Sequence, residues 1–254
     1  MRFLEKINIV TGGGTGIGRS ICNILAQNGH KVLIVGRRLD KLKETQSYFP
    51  DRIDILKADI SNEEDRKKIK DSVREKQIGF LVHNAAVLGK ITGLENISLE
   101  EWRRVMSINV EAPLFLTQAL LPNLGNSRIL NISSGAAHFA IKSWGAYCTS
   151  KAALLMIYQM FNAEFGEKKI LTASLRPGIV DTEMQGDIRE ASLEKNPHLQ
   201  KFHDMFNDKS METSERVAQF AYWVLTATSD QDYSAKEWDI REGDHVSKWD
   251  NVNK

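Results

Sequence analysis

Ile7-Asn8-Ile9-Val10-Thr11-Gly12-Gly13-Gly14-Thr15-Gly16-Ile17-Gly18 is a short apolar run that breaks into glycine and then changes period. Beyond Gly18, apolar residues recur at Ile21, Ile24 and Leu25, the spacing of one helix face. The stretch is a strand, a glycine turn and a helix in direct succession. Glycine permits a tight turn and a close backbone approach to a ligand, while the free N–H groups at the helix start attract a phosphate. A second apolar run, Lys31 to Val35, follows Asn28-Gly29-His30 and completes a βαβ unit of about thirty residues, the setting of a dinucleotide site. Gly12, Gly14, Thr15, Gly16, Ile17 and Gly18 are its candidate cofactor contacts. Their spacing, Gly12-x3-Gly16-x-Gly18, departs from the common G-x-G-x-x-G form.

The second strand ends at Gly36-Arg37-Arg38, where a carboxylate would be expected for a ribose 2′-hydroxyl. An arginine instead pairs with a 2′-phosphate, so Arg37 favours NADP over NAD; two solvated arginines at a helix start are the alternative. Helical spacing follows from Leu39 to Tyr48, then a third strand at Ile53 to Leu56, ending at Ala58-Asp59-Ile60. Ser61-Asn62-Glu63-Glu64 has the form of a capping box and predicts a charged helix from Ser61 to about Lys76. Phe80-Leu81-Val82 reads as a fourth strand and Arg128 to Ile132 as a fifth, with a long helix from Glu100 to Leu121 between them. Asn109 lies inside that helix, where a buried amide serves either as a structural tie or in a proton path.

The next helix, from about Trp144 to Phe165, carries Tyr147-Cys148-Thr149-Ser150-Lys151. Residues four apart share a helix face, so the Lys151 ammonium can favour ionisation of the Tyr147 phenol. Acid/base work by a phenol near neutral pH takes about 4 kcal/mol of differential stabilisation. One positive charge about 4 Å away, at an effective dielectric of roughly 20, supplies about that much. Cys148 reads as a small helical thiol rather than a nucleophile. Ile170 to Leu175 is a sixth strand, closed by Arg176-Pro177-Gly178-Ile179-Val180-Asp181-Thr182, and Glu237 to Ile240 a short edge strand. The segment 187–208 mixes charges with Phe202, Met205 and Phe206 and reads as a flap over a pocket or a plain surface insertion.

Repeated strand–helix alternation predicts one α/β domain spanning 1–254, a doubly wound, mostly parallel sheet with helices on both faces. The glycine turn, Arg37, Asp59, Asn84, Ser134 and Pro177-Gly178 all follow strands and would share the carboxyl edge, where such folds bind ligands. With 34 basic against 33 acidic residues the net charge is +1, which suits neither nucleic acid nor an anionic membrane. No run of about 18 apolar residues could span a membrane. Two cysteines outside any CxxC pair suggest a reducing compartment, and the N-terminus has no signal-peptide core, so a cytoplasmic location is expected. No histidine has H-E-x-x-H spacing and no Cys/His cluster stands out, so no metal is expected.

These motifs resemble the short-chain dehydrogenase/reductase family in order and over nearly the whole chain: Thr11-Gly12-x3-Gly16-Ile17-Gly18, Asn84-Ala85, Asn109, Ser134 and Tyr147-x3-Lys151. The resemblance implies a Rossmann fold and the catalytic set Asn109, Ser134, Tyr147 and Lys151. Tyr147 would be the general acid/base and Ser134, favoured over Ser133 by its interval to Tyr147, would hold the substrate carbonyl. Lys151 would lower the tyrosine pKa and hold the nicotinamide ribose, and Asn109 would support a water path. Asp59, Ile60, Asn84, Ala85, Pro177, Gly178, Val180 and Thr182 would contact the cofactor. His83-Asn84-Ala85-Ala86 departs from the family's Asn-Asn-Ala-Gly. Asp181-Thr182-Glu183-Met184-Gln185, Ile188-Arg189-Glu190 and Gly243-Asp244-His245-Val246 resemble the sepiapterin and benzil reductase branch, although Ser247 stands where sepiapterin reductases carry a pterin-anchoring aspartate.

The expected activity is NADPH-dependent reduction of a ketone, diketone or aldehyde, with Ser134, His138, Trp144, Met184 and Phe202 around the substrate and a homodimer or homotetramer formed through the two long helices. The rival readings are a non-catalytic nucleotide sensor, a metal-dependent oxidoreductase or hydrolase, an acyl-chain ketoreductase and an NAD-dependent alcohol dehydrogenase.

Overall fold

Along the inner strands apolar residues are nearly continuous, because both faces of the sheet are covered and neither alternates with water. The structure, a computed structural model, describes residues 5–191 and 196–249. Strands β1 (Glu5–Thr11), β2 (Val32–Gly36), β3 (Ile53–Lys57), β4 (Lys76–His83), β5 (Ser127–Ile132), β6 (Ile170–Arg176) and β7 (Trp238–Asp239) form one seven-stranded sheet in the order β3-β2-β1-β4-β5-β6-β7. Every pairing is parallel. The chain runs outward through β1, β2 and β3, then returns to place β4 beside β1. That reversal opens a crevice at the carboxyl ends of β1 and β4.

Helices α1 (Gly16–Gln27), α2 (Leu39–Tyr48), α3 (Glu63–Ser72), α4 (Leu99–Met106), α5 (Ala112–Leu120), α6 (Gly145–Phe165), α7 (Glu183–Glu190), α8 (Gln200–Asn207), α9 (Ser214–Ala227), α10 (Asp230–Ala235) and α11 (Gly243–Trp249) surround the sheet. Alternate strand residues enter opposite cores. Val10, Ile34 and Leu130 pack with α1 and α9, while Ile9, Val35 and Ile129 pack with α3 and α5. Asn8 is one of the buried polar residues on the strands: its Oδ1 accepts from Phe80 N at 2.9 Å and its Nδ2 donates to Lys31 O at 3.0 Å, where the β1–β4 register shifts between Ile7 and Ile9. No helix among the described residues is long and apolar enough to cross a membrane.

The elements differ from the sequence expectations in four places. Asn62, not Ser61, caps α3, its side chain accepting from Asp65 N, because Ser61 is turned onto Asp59 Oδ1; the helix then ends at Ser72. The run after it is strand, so β4 begins at Lys76 rather than Phe80. The expected helix from Glu100 to Leu121 is two α-helices joined by a π-helical turn, Ser107–Glu111, which contains Asn109. The edge strand shrinks to Trp238–Asp239, since only Leu175 and Arg176 extend far enough to pair with it. The segment 187–208 is largely helical, with the end of α7, a 3-10 turn at Pro197–Leu199 and α8; residues 192–195 lie outside the described residues.

Candidate active site

A polar knot fixes the glycine turn to the end of β4. Thr11 Oγ1 donates to Val82 O at 3.3 Å and accepts from the backbone N–H groups of Asn84 and Ala85 at 3.1 and 3.2 Å. Asn84 Nδ2 donates back to Thr11 O at 3.0 Å and to Gly12 O at 3.2 Å. Gly12 and Gly16 adopt φ of +69° and +52°, left-handed backbone that side chains rarely tolerate. Gly18 is required for space instead, since a methyl there would lie 2.2 Å from Gly12 O. The first turn of α1 has neither a capping side chain nor an acidic residue, so its N–H groups remain available to an anion.

A cleft of about 980 Å³ opens from this turn along the carboxyl edge of the sheet. Its adenine-side wall holds Gly12, Gly14, Thr15, Gly16 and Ile17 with Arg37, Asp59, Ile60, Asn84 and Ala85, and its far wall holds Ser134, Trp144, Tyr147, Lys151, Met184 and Phe202. Pro177, Gly178, Val180 and Thr182 close the side between them. An uncapped helix start, a glycine turn, basic and acidic groups at one end and a phenol at the other fit a nicotinamide dinucleotide laid across the crevice. Three expected site residues do not line it: Gly18, which packs the turn, Asn109 and His138.

On α6, Tyr147 and Lys151 are buried, at 7% and 3% exposure. Lys151 Nζ donates to Ile132 O at 2.8 Å, at the end of β5, and stands 5.7 Å from the Tyr147 ring centroid. Burial pushes the Tyr147 phenol up to about 12, against an opposing hydrogen bond to Ser134, and pushes the Lys151 ammonium down to about 8. Desolvation acts on both groups in the same sense, favouring the neutral form of each. Ser134, joined to Tyr147 and accepting from Ala136 N, faces the cleft; Ser133 is buried at the strand end with its hydroxyl unpaired. Both serines line the cleft.

Asn109 is buried within the π turn. Its Oδ1 accepts from Val87 N at 2.9 Å, and its Nδ2 donates at 2.9 Å to both Val87 O and Ser150 Oγ. Ser150 Oγ donates in turn to Tyr147 O at 2.8 Å. The amide is fully used in tying the loop after β4, the π turn and α6 together. His83 is likewise structural: its Nε2 meets Thr117 Oγ1 at 2.8 Å, and burial pushes the ring down to about 3, so it stays neutral beside α5.

The substrate end is an apolar wall. Trp144 stands edge-on to Tyr147 at 5.8 Å and stacks on Phe202 of α8 at 5.5 Å, within a cluster that includes Leu88, Ile188 and Leu199. Leu88 and Ile141 also line the cleft, and no motif marks either one in the sequence. His138, expected in this pocket, instead directs its Nε2 to Glu237, which is also held by Ser174 and Arg176, so the ring braces the end of the sheet. At the opposite end, Arg38 pairs with Glu183 at 2.7 Å and touches Thr15 Oγ1 at 3.2 Å, a contact between segments 145 residues apart that local sequence does not reveal.

Residues 6–193 match the short chain dehydrogenase family model. The chain is 30% identical over 224 residues to a benzil reductase of Bacillus cereus that forms (S)-benzoin, covering 83% of this chain and 90% of that protein. It is 27% identical over 220 residues to the benzil reductase of Bacillus subtilis, covering 84% and 90%. Among solved structures, a short-chain dehydrogenase/reductase from Saccharomyces cerevisiae superposes with a TM-score of 0.86 at 26% identity, covering 96% of this chain and 98% of that one. With the seven-stranded parallel sheet, these likenesses identify the chain as a member of the short-chain dehydrogenase family, on its benzil-reductase-like branch.

Proposed function

We propose that this protein is an NADPH-dependent carbonyl reductase acting on ketones, diketones or aldehydes, with bulky apolar carbonyls favoured. The observation that carries the reading is the buried Tyr147, beside Lys151, joined to Ser134 and set against an aromatic wall at the end of the cleft. NADPH supplies the hydride when bound. Ser134 orients the carbonyl oxygen, Tyr147 gives that oxygen its proton, and Lys151 holds positive charge behind the phenol. A phenol is protonated at neutral pH, so reduction starts from the acid form. Asn109 is a positioning residue in this scheme, acting through Val87, Ser150 and the backbone of Tyr147. Arg37 supports the phosphorylated cofactor, and Trp144, Met184 and Phe202 support an aryl or otherwise apolar substrate.

Purified protein mixed with NADPH and a panel of diketones, pterins, simple aldehydes and acyl ketones tests the reading through loss of reduced-nicotinamide absorbance. Fastest turnover is expected with aryl diketones. Equal indifference to every carbonyl would overturn it. We also read the chain as a homo-oligomer: Phe115 on α5 and Met156 and Met160 on α6 expose apolar side chains on the helices expected to pair, and light scattering at a monomer mass would refute this.

A further inference from the structure

Glu183 and Arg38 form an ion pair across the open side of the cleft, between the first residue of α7 and the residue before α2. Three groups meet there. Arg38 Nη2 donates to Glu183 Oε2 at 2.7 Å and to Thr15 Oγ1 at 3.2 Å, and Thr15 Oγ1 donates to Glu183 Oε2 at 3.4 Å. All three residues line the cleft, and the adjoining walls are already close: a methyl on Gly16 would lie 3.2 Å from Thr182 Cγ2. The pair is a bridge over the dinucleotide path beside Arg37.

We infer that the Glu183 carboxylate is a built-in competitor for the anion site of Arg38 and Thr15, displaced by a cofactor 2′-phosphate but not by a 2′-hydroxyl. The inference rests on the NADPH reading above. A carboxylate held by a guanidinium and a hydroxyl marks the donors that a phosphate oxygen would use. Both side chains are more than half exposed, at 53% and 57%, so the pair is weakly held and readily exchanged. A phosphate monoester carries nearly twice the charge of a carboxylate and has three acceptor oxygens, which decides the competition in its favour. A ribose hydroxyl brings no charge and leaves the bridge closed. Glu183 thus lowers affinity only for the phosphorylated cofactor, the one that contacts the arginine it holds. Its removal acts on NADPH alone.

The test is equilibrium binding of NADPH and NADH, followed by nicotinamide fluorescence, to wild type, Glu183→Gln, Arg38→Leu and the double variant. Glu183→Gln is expected to tighten NADPH about three- to tenfold and to leave NADH within about twofold. Arg38→Leu is expected to weaken NADPH at least about tenfold and to abolish the effect of Glu183→Gln in the double variant. NADH affinity serves as the control for folding, because both side chains sit at the surface. Wild-type preference for NADPH together with a Glu183→Gln variant that binds NADPH no tighter overturns this inference alone. Wild type binding the two cofactors equally overturns the cofactor reading itself, and this inference with it.

Discussion

The two ends of the cleft are held by different physics. At the glycine turn the shape is fixed by backbone: Thr11 and Asn84 exchange five hydrogen bonds with Val82, Ala85, Gly12 and each other, and Gly18 lies against a carbonyl with no room for a methyl. At the substrate end the shape is fixed by side-chain packing, with Trp144 between Tyr147 and Phe202, and with buried polar atoms of Trp144, Gln185 and His198 left without hydrogen-bond partners. A backbone cradle suits a ligand that never changes. A packed apolar wall tolerates exchange of one residue for another of similar volume, so it is where substrate preference can drift while the cofactor site stays fixed.

The sharpest test of this contrast lies where the two ends meet. Tyr147→Phe keeps the packing and removes the proton donor; turnover is expected to fall about 10²- to 10⁴-fold with NADPH affinity nearly unchanged. Retained activity in that variant, measured by steady-state kinetics, would break the scheme. Gly18→Ala comes next, and a different loss is expected from it. The methyl must displace the Gly12 carbonyl, so stability should fall by about 1–3 kcal/mol in urea denaturation, and NADPH and NADH should both bind more weakly. Normal binding with normal stability would show that the knot is looser than its distances imply.

Phe202→Ala should cost less and act only on one side. Losing the face that stacks on Trp144 is expected to reduce kcat/KM for aryl diketones about tenfold while leaving small aldehydes and NADPH affinity little changed. Uniform loss across substrates would mean that α8 supports the fold rather than the pocket. The smallest effect is on pH. Lys151 is cationic below about 8 and neutral above it, so the reductive kcat should decline gently as pH rises through that value. A profile flat to pH 10 would remove the charge of Lys151 from the chemistry.

The glycine turn and the tyrosine–lysine pair were legible in the sequence because their determinants are local. Gly12, Gly16 and Gly18 lie within one turn of chain, and Tyr147 and Lys151 within one turn of helix, so spacing alone carries their geometry. Repeated strand–helix alternation made the doubly wound sheet readable before any contact was known. What the sequence hid, at either end, depends on residues far apart in the chain. Trp144 meets Phe202 through α8, and Arg38 meets Glu183 through α7, and neither pair has a spacing to recognise. The burial of Tyr147 and Lys151 is equally invisible in the sequence: a helix face gives the distance between two groups but not how much water both have lost. Asn109 was recognisable as unusual in a helix, but its partner Val87 had no sequence signal.

The π turn at Ser107–Glu111 has a consequence for how this lineage can change. Such a turn arises when a helix gains one residue, and it sits most often where function needs it. Substitution can alter Asn109, but no substitution restores the regular helix; that takes a deletion. A descendant that loses Tyr147 to a single point mutation would therefore keep the irregular helix, a fossil of an arrangement it no longer uses.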